Sequence, residues 1–153
     1  MHCPKTFREE RLDVLQQLIK AHPLATLITA GTSGLMANLI PFTLDPDNGK
    51  GILRAHLARG NSQLSEIREG AELLVVFQGP QCYISPSWYA SKKEHEKVVP
   101  TWNYVTVQVR GEARVIEDAT WLRAQVEILT SHQERNRAEP WHVTDAPDDF
   151  INA

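Results

Sequence analysis

A chain of 153 residues, 42% hydrophobic and 23% charged, is long enough to bury one real core and too short for two comfortable domains, so one domain spanning 1–153 is expected. Its formal charge of −3 and pI near 6.1 exclude a global basic field that would concentrate the protein on nucleic acid or anionic lipid; any such contact must be local. Two cysteines without C-x-x-C spacing argue against a disulfide scaffold, and no apolar run reaches the ~18 residues of a membrane span, so a reduced, cytoplasmic protein with no membrane contact is expected.

In chain order, Thr6-Phe7-Arg8-Glu9 fits a capping box, and Leu12, Leu15, Leu18 and Ile19 recur at helical spacing until His22-Pro23. The pattern predicts a helix over 7–21. The period then changes: "LATLITA" (24–30), "LMANLIPFTL" (35–44) and "GILRAHLA" (51–58) read as three strands, joined by turns at Gly31–Gly34 and Pro46–Gly49. The first two are apolar on both faces, which implies a sheet that closes or is covered on its second side. A short helix over 61–69 ends at Gly70, followed by strands over 71–79 and 81–84. In "WNYVTVQVRGEARVIE", Val105, Val107 and Val109 alternate with Tyr104, Thr106, Gln108 and Arg110, the pattern of a long strand with a bend at Gly111. Asp118 caps a helix carrying Trp121, Leu122, Gln125, Val126 and Leu129 on or near one face, and Asp145 starts a last helical segment. The order predicts a mainly β protein, a small β-barrel with peripheral α-helices.

Within "LRAHLARGNSQL" (53–64), Arg54 and His56 share one strand face, and the strand runs into Arg59-Gly60-Asn61 at a helix start. A guanidinium, an approachable backbone and free first-turn amides together can bind an anion. An exposed strand face before an ordinary Asn-capped helix accounts for the same residues equally well. Neither G-x-G-x-x-G nor a P-loop occurs, so any phosphate site is of another type. His95 in "KKEHEKVV" lacks the spacing of a metal motif and reads as part of a solvated charged face; Cys82 reads as a buried structural thiol. Helix 1 leads into a strand rather than a second helix, which argues against a helix-turn-helix.

Several stretches coincide with one family. "FREERLDVLQQLIKAHPLATLIT", "ANLIPFTLD", "LRAHLARGN", "VVFQGPQCYISPSWYASKKEHEKVVPTWNYVTVQVRGEARVIED" and "APDDFI" resemble the PaiB-type FMN-binding negative transcriptional regulators over nearly the whole chain. The resemblance implies an FMN-binding split barrel, a fold shared with pyridoxamine phosphate oxidases and flavin reductases, with FMN held at a homodimer interface. It places Asn38 of "ANLIP" along the flavin, His56, Arg59 and Asn61 at the FMN phosphate and ribityl chain, and Trp102 and Asn103 near the ring. It also implies DNA as a partner, through the regulatory role. The chain stops at Ala153, short of the family's further strand and K-x-S-Q-N-like tail; if that tail contributes to the flavin site, a shortened chain binds FMN weakly or not at all. Two other functions stay open: an FMN-dependent oxidoreductase, with the flavin carrying the electrons, and a cofactor-free protein-interaction module on the same scaffold.

Overall fold

The computed structural model describes residues 1–46 and 49–151; the turn expected at Pro46–Gly49 therefore falls partly outside the described residues, at positions 47 and 48. A 3-10 turn over Lys5–Phe7 precedes α1 (Leu12–Ala21), followed by β1 (Leu24–Gly31), β2 (Gly34–Pro41), β3 (Thr43–Asp45) and β4 (Ile52–Arg54). The second half holds α2 (Gln63–Arg68), β5 (Glu72–Ile84), α3 (Lys92–His95), β6 (Thr101–Arg110), α4 (Ala119–Glu134) and α5 (Asp148–Ile151).

Four strands form one antiparallel sheet in the order β2-β1-β5-β6, and β3 pairs only with β4 in a separate hairpin. The expected barrel does not close among the described residues: β2 and β6 are both sheet edges. The segment read as one strand over 35–44 is divided at Phe42: its N still donates to Pro23 O (2.9 Å), one step beyond the Leu24↔Pro41 pair, and its ring meets Phe77 edge-to-face at 5.7 Å, but Thr43–Asp45 then pair with β4 instead of β1. Beyond this break the chain leaves the four-stranded sheet.

The core sits between the inner sheet face and α1. Ile19, Ala25, Leu27, Ile40, Phe42, Val75, Phe77 and Val107 are buried together, with Leu15 and Leu18 of α1 packed against them. Antiparallel partners share a face, so the register Leu27↔Asn38 and Thr29↔Met36 carries Asn38 toward the interior with Leu27. Helix 1 begins later than the capping box predicts, because Glu9 does not reach back to Thr6. Its carboxylate instead accepts from the Glu10 and Arg11 amides (3.0 and 2.8 Å) and from the Arg11 guanidinium (2.7 Å). The side-chain hydrogen bond from Arg11 holds this carboxyl well below the usual carboxylate range, at about 2.

Other expectations shift for local reasons. The strand predicted over 51–58 ends at Arg54, and 55–61 is a loop. The two strands predicted over 71–84 are one, β5, with a bulge between Gln78 and Gln81. Past the bulge β5 pairs only with β6 and leaves the core, so Cys82 is exposed rather than buried. The strand β6 stops at Arg110, and 111–117 carries no strand; Arg68 Nη2 ties this segment to α2 through Glu117 at 2.6 Å. Gly70, with φ +86°, ends the short second helix as expected. The Asp118 cap also forms, its Oδ1 accepting from Trp121 N at 2.7 Å. Between β5 and β6, Trp88 and Tyr89 are exposed.

Candidate functional site

A cavity of about 530 Å³ opens at the β2 edge. Its walls are Asn38, Leu39 and Ile40 of β2, the loop residues His56, Leu57, Ala58 and Asn61, and Leu122 and Val126 of α4.

Three of the sequence-predicted residues, Asn38, His56 and Asn61, thus meet in one wall although they are up to 23 positions apart. Each is placed by a different element. Asn38 is held by β2, and its Nδ2 donates to Gln63 Oε1 at 2.9 Å. Asn61 precedes α2, and its Oδ1 accepts from Gln63 N at 3.0 Å. His56 lies in the loop after β4, and its Nδ1 is buried with no hydrogen-bond partner among the described residues. A buried ring nitrogen without a partner is costly.

The remaining wall belongs to α4, docked by a buried amide. Gln125 Oε1 accepts from Thr43 Oγ1 (3.1 Å), and its Nε2 donates to Arg54 O (3.3 Å), tying the helix to the β3–β4 hairpin. That contact seats Leu122 and Val126 beside the cavity.

The other predicted residues lie elsewhere. Arg59 is exposed on the loop that supplies His56 and Asn61, outside the cavity wall. Arg54 is not free to clamp an anion, because its Nη2 pairs with Asp45 Oδ2 at 2.6 Å. The second helix has only six residues, and Asn61 already occupies one of its first-turn amides, so it offers no anion site by itself. Trp102 and Asn103 belong to β6, at the opposite edge of the sheet. Trp102 donates through Nε1 to Gln81 Oε1 and packs edge-to-face on Tyr83 at 5.7 Å. It lines a separate depression of about 590 Å³ with Gln78, Gln81, Tyr104, Thr106 and Gln108. Among the described residues no cluster of His, Cys, Asp or Glu could hold a metal, and His95 Nδ1 accepts from Lys97 N at 3.1 Å.

Gln63, Leu122 and Val126 were not among the site residues expected from sequence. For Leu122 and Val126 the signal was the apolar face of α4; for Gln63 it was only an amide two residues after Asn61.

This geometry coincides with a family match. The family described as "Putative FMN-binding domain" matches residues 1–153. The chain belongs to this FMN-binding domain family. Relatives within reach include the Saccharomyces cerevisiae protein YKL070W, 36% identical over 163 residues, covering 94% of this chain and 96% of that one. Protease synthase and sporulation protein PAI 2 of Bacillus subtilis is 29% identical over 140 residues, covering 92% of this chain and 65% of PAI 2. Among solved structures, the FAD and heme binding protein from Mycobacterium smegmatis superposes with a TM-score of 0.66 at 20% identity, over 95% of this chain and 63% of that one. At that identity the likeness concerns the fold: antiparallel sheet and helices arranged as in a flavin-binding protein.

Leu39, Ile40, Leu57, Leu122 and Val126 give the cavity apolar walls and Asn38, His56 and Asn61 give it polar groups, a composition compatible with a planar ligand that carries polar edges. Arg59 stands on the adjoining loop.

Proposed function

We propose that this member of the FMN-binding domain family binds FMN in the cavity at the β2 edge and acts, as a homodimer, as a flavin-responsive negative transcriptional regulator of the PaiB type. The observation that carries the flavin reading is the convergence of Asn38, His56 and Asn61 with apolar side chains of β2 and α4 around one cavity, in a chain of the FMN-binding domain family. FMN would supply the redox-active ring; the chain's own residues bind and orient it.

Trp102 and Asn103 sit at the far sheet edge, so they can join the same flavin only from a second copy. This favours the homodimer. Apolar side chains at the open β2 edge, Leu35 and Leu39, and exposed Trp102 and Tyr104 on β6 are surfaces that a partner copy would cover. Regulation draws its support from the resemblance to the PaiB-type regulators over the stretches quoted above.

The test is a visible spectrum and FMN titration of the purified protein. Bound FMN with quenched fluorescence is expected, and Arg59→Ala should weaken it about 10-fold through loss of a charge-assisted phosphate contact. A protein that stays colourless and ignores added FMN would overturn the flavin reading. For the regulatory part, a salt-sensitive shift of promoter DNA is expected. NADPH-driven turnover without any DNA shift would favour the oxidoreductase instead.

A further inference from the structure

Gln63 is fully buried although it stands at the start of a short surface helix. Its side chain passes under the β1–β2 ladder. There Nε2 faces three acceptors: Leu27 O at 3.1 Å, Met36 O at 3.3 Å and Thr29 Oγ1 at 3.4 Å. Two of these are main-chain carbonyls, which can only accept. The amide therefore has one orientation, with Oε1 toward Asn38. That orientation dictates the next, because Oε1 can accept only from Asn38 Nδ2. One of the two Asn38 N–H donors is engaged, which fixes the amide's orientation, and its Oδ1, on the opposite side of the amide in a residue that lines the cavity, has no hydrogen bond among the described residues.

We infer that Gln63 is a positioning residue that sets the hydrogen-bonding polarity of the cavity, so that Asn38 presents an acceptor and the site selects a ligand edge that donates. This rests on the flavin reading for the identity of the ligand, but not for the amide lock itself. Oxidised isoalloxazine carries a single ring N–H, on the imide nitrogen between its two carbonyls. That group is the donor the site calls for. A ligand offering only acceptors at this edge would face the Asn38 oxygen with no bond, and an unpaired buried polar atom discriminates more strongly than a lost contact in water.

The experiment compares the wild type with Gln63→Leu and Gln63→Glu, titrating each with FMN and with FMN methylated at the imide nitrogen, following flavin fluorescence. The wild type should bind the methylated flavin at least about 10-fold more weakly than FMN. Gln63→Leu releases Asn38 to turn, and this discrimination should shrink to within about 3-fold. In Gln63→Glu an ionised carboxylate opposes the Leu27 and Met36 carbonyls, whereas the protonated acid can donate to one of them and still accept from Asn38. Its FMN affinity should therefore recover toward wild type as pH falls. Expressing it as a ratio to wild type at the same pH removes the titration of His56, Glu66 and the FMN phosphate, which both proteins share. A purely structural Gln63 would lower stability without changing which flavin is preferred.

Equal wild-type affinity for the two flavins, or discrimination that persists in a folded Gln63→Leu variant, overturns the proposal and leaves FMN binding intact. If Gln63→Leu does not fold, the pH-dependent ratio in Gln63→Glu decides, and a flat ratio overturns the inference. If the wild type binds no flavin, the flavin reading fails, and the amide lock is judged by NMR of the unliganded protein. The Asn38 and Gln63 side-chain amides should each give two separate, exchange-protected proton signals, with Asn38 protection lost in Gln63→Glu at high pH. Unprotected amides in the wild type would sink it.

Discussion

Gly31→Ala tests the packing that holds α2, and with it Gln63 and Asn61, against the sheet. A methyl group on Gly31 would lie 1.3 Å from Glu66 Oε2 and 2.4 Å from its Cδ. Gly31 is not in the left-handed region, so the backbone accepts alanine and the obstacle is Glu66 alone. That carboxylate is buried, with Oε1 accepting from Ser33 N at 3.3 Å and Oε2 without a partner among the described residues. Displacing it breaks the Ser33 bond and opens the packing, at roughly 1–3 kcal/mol. The smaller conformational freedom of alanine in the unfolded chain offsets about 0.4–1 kcal/mol. The net loss is about 1–2 kcal/mol, or roughly 3–6 °C in Tm for a chain of this size. The assay is a double-mutant cycle by thermal and urea unfolding with Glu66→Ala. Once the carboxylate is gone, the same Gly31→Ala change should be neutral or stabilising, a reversal of sign. Equal destabilisation in both backgrounds, or none in the wild type, would refute the argument that Glu66 occupies the space beside Gly31. FMN affinity should fall in Gly31→Ala together with stability, since α2 carries Gln63.

Gln125→Leu leaves Thr43 Oγ1 and Arg54 O without their partner, at a cost of about 1–3 kcal/mol by chemical unfolding, and should loosen α4 enough to weaken flavin binding. Asp118→Ala removes the cap of the same helix and should cost about 1 kcal/mol; Asp118→Asn should restore most of it. Glu9 should titrate by carboxyl NMR near 2 and return toward 4.5 in Arg11→Gln. Because its folded-state value is depressed, the contribution of this pair to stability is present above 4.5 and lost as pH falls toward 2. It should leave unfolding at neutral pH nearly unchanged, since the pair is exposed.

The elements most legible in the sequence are those whose signals are local. The apolar spacing of Leu15, Leu18 and Ile19, the left-handed stop at Gly70 and the Asp118 cap each depend on a few neighbouring residues, and each forms where the pattern places it. The capping box at Thr6 fails because Arg11 competes for Glu9, a contest between two local partners that spacing cannot rank. Cys82 is misjudged for a related reason. The bulge between Gln78 and Gln81 carries the strand past the core while its residue types still look buried.

Residue pattern by itself determined an antiparallel, mainly β protein with helices on its periphery, and it marked His56 and Asn61, with Arg54 and Arg59, as candidate anion-binding residues; Asn38 was marked by family resemblance alone. Family resemblance joined those residues to a flavin. Only the tertiary structure decided that they share one cavity, that Arg59 stands beside it rather than in it, and that Trp102 and Asn103 lie at the opposite sheet edge. It alone brought α4 and Gln63 to the site. The physical reason is separation in sequence: Gln125 meets Thr43 across 82 positions and Gln63 meets Asn38 across 25, contacts that exist only after the sheet has paired and the helices have docked.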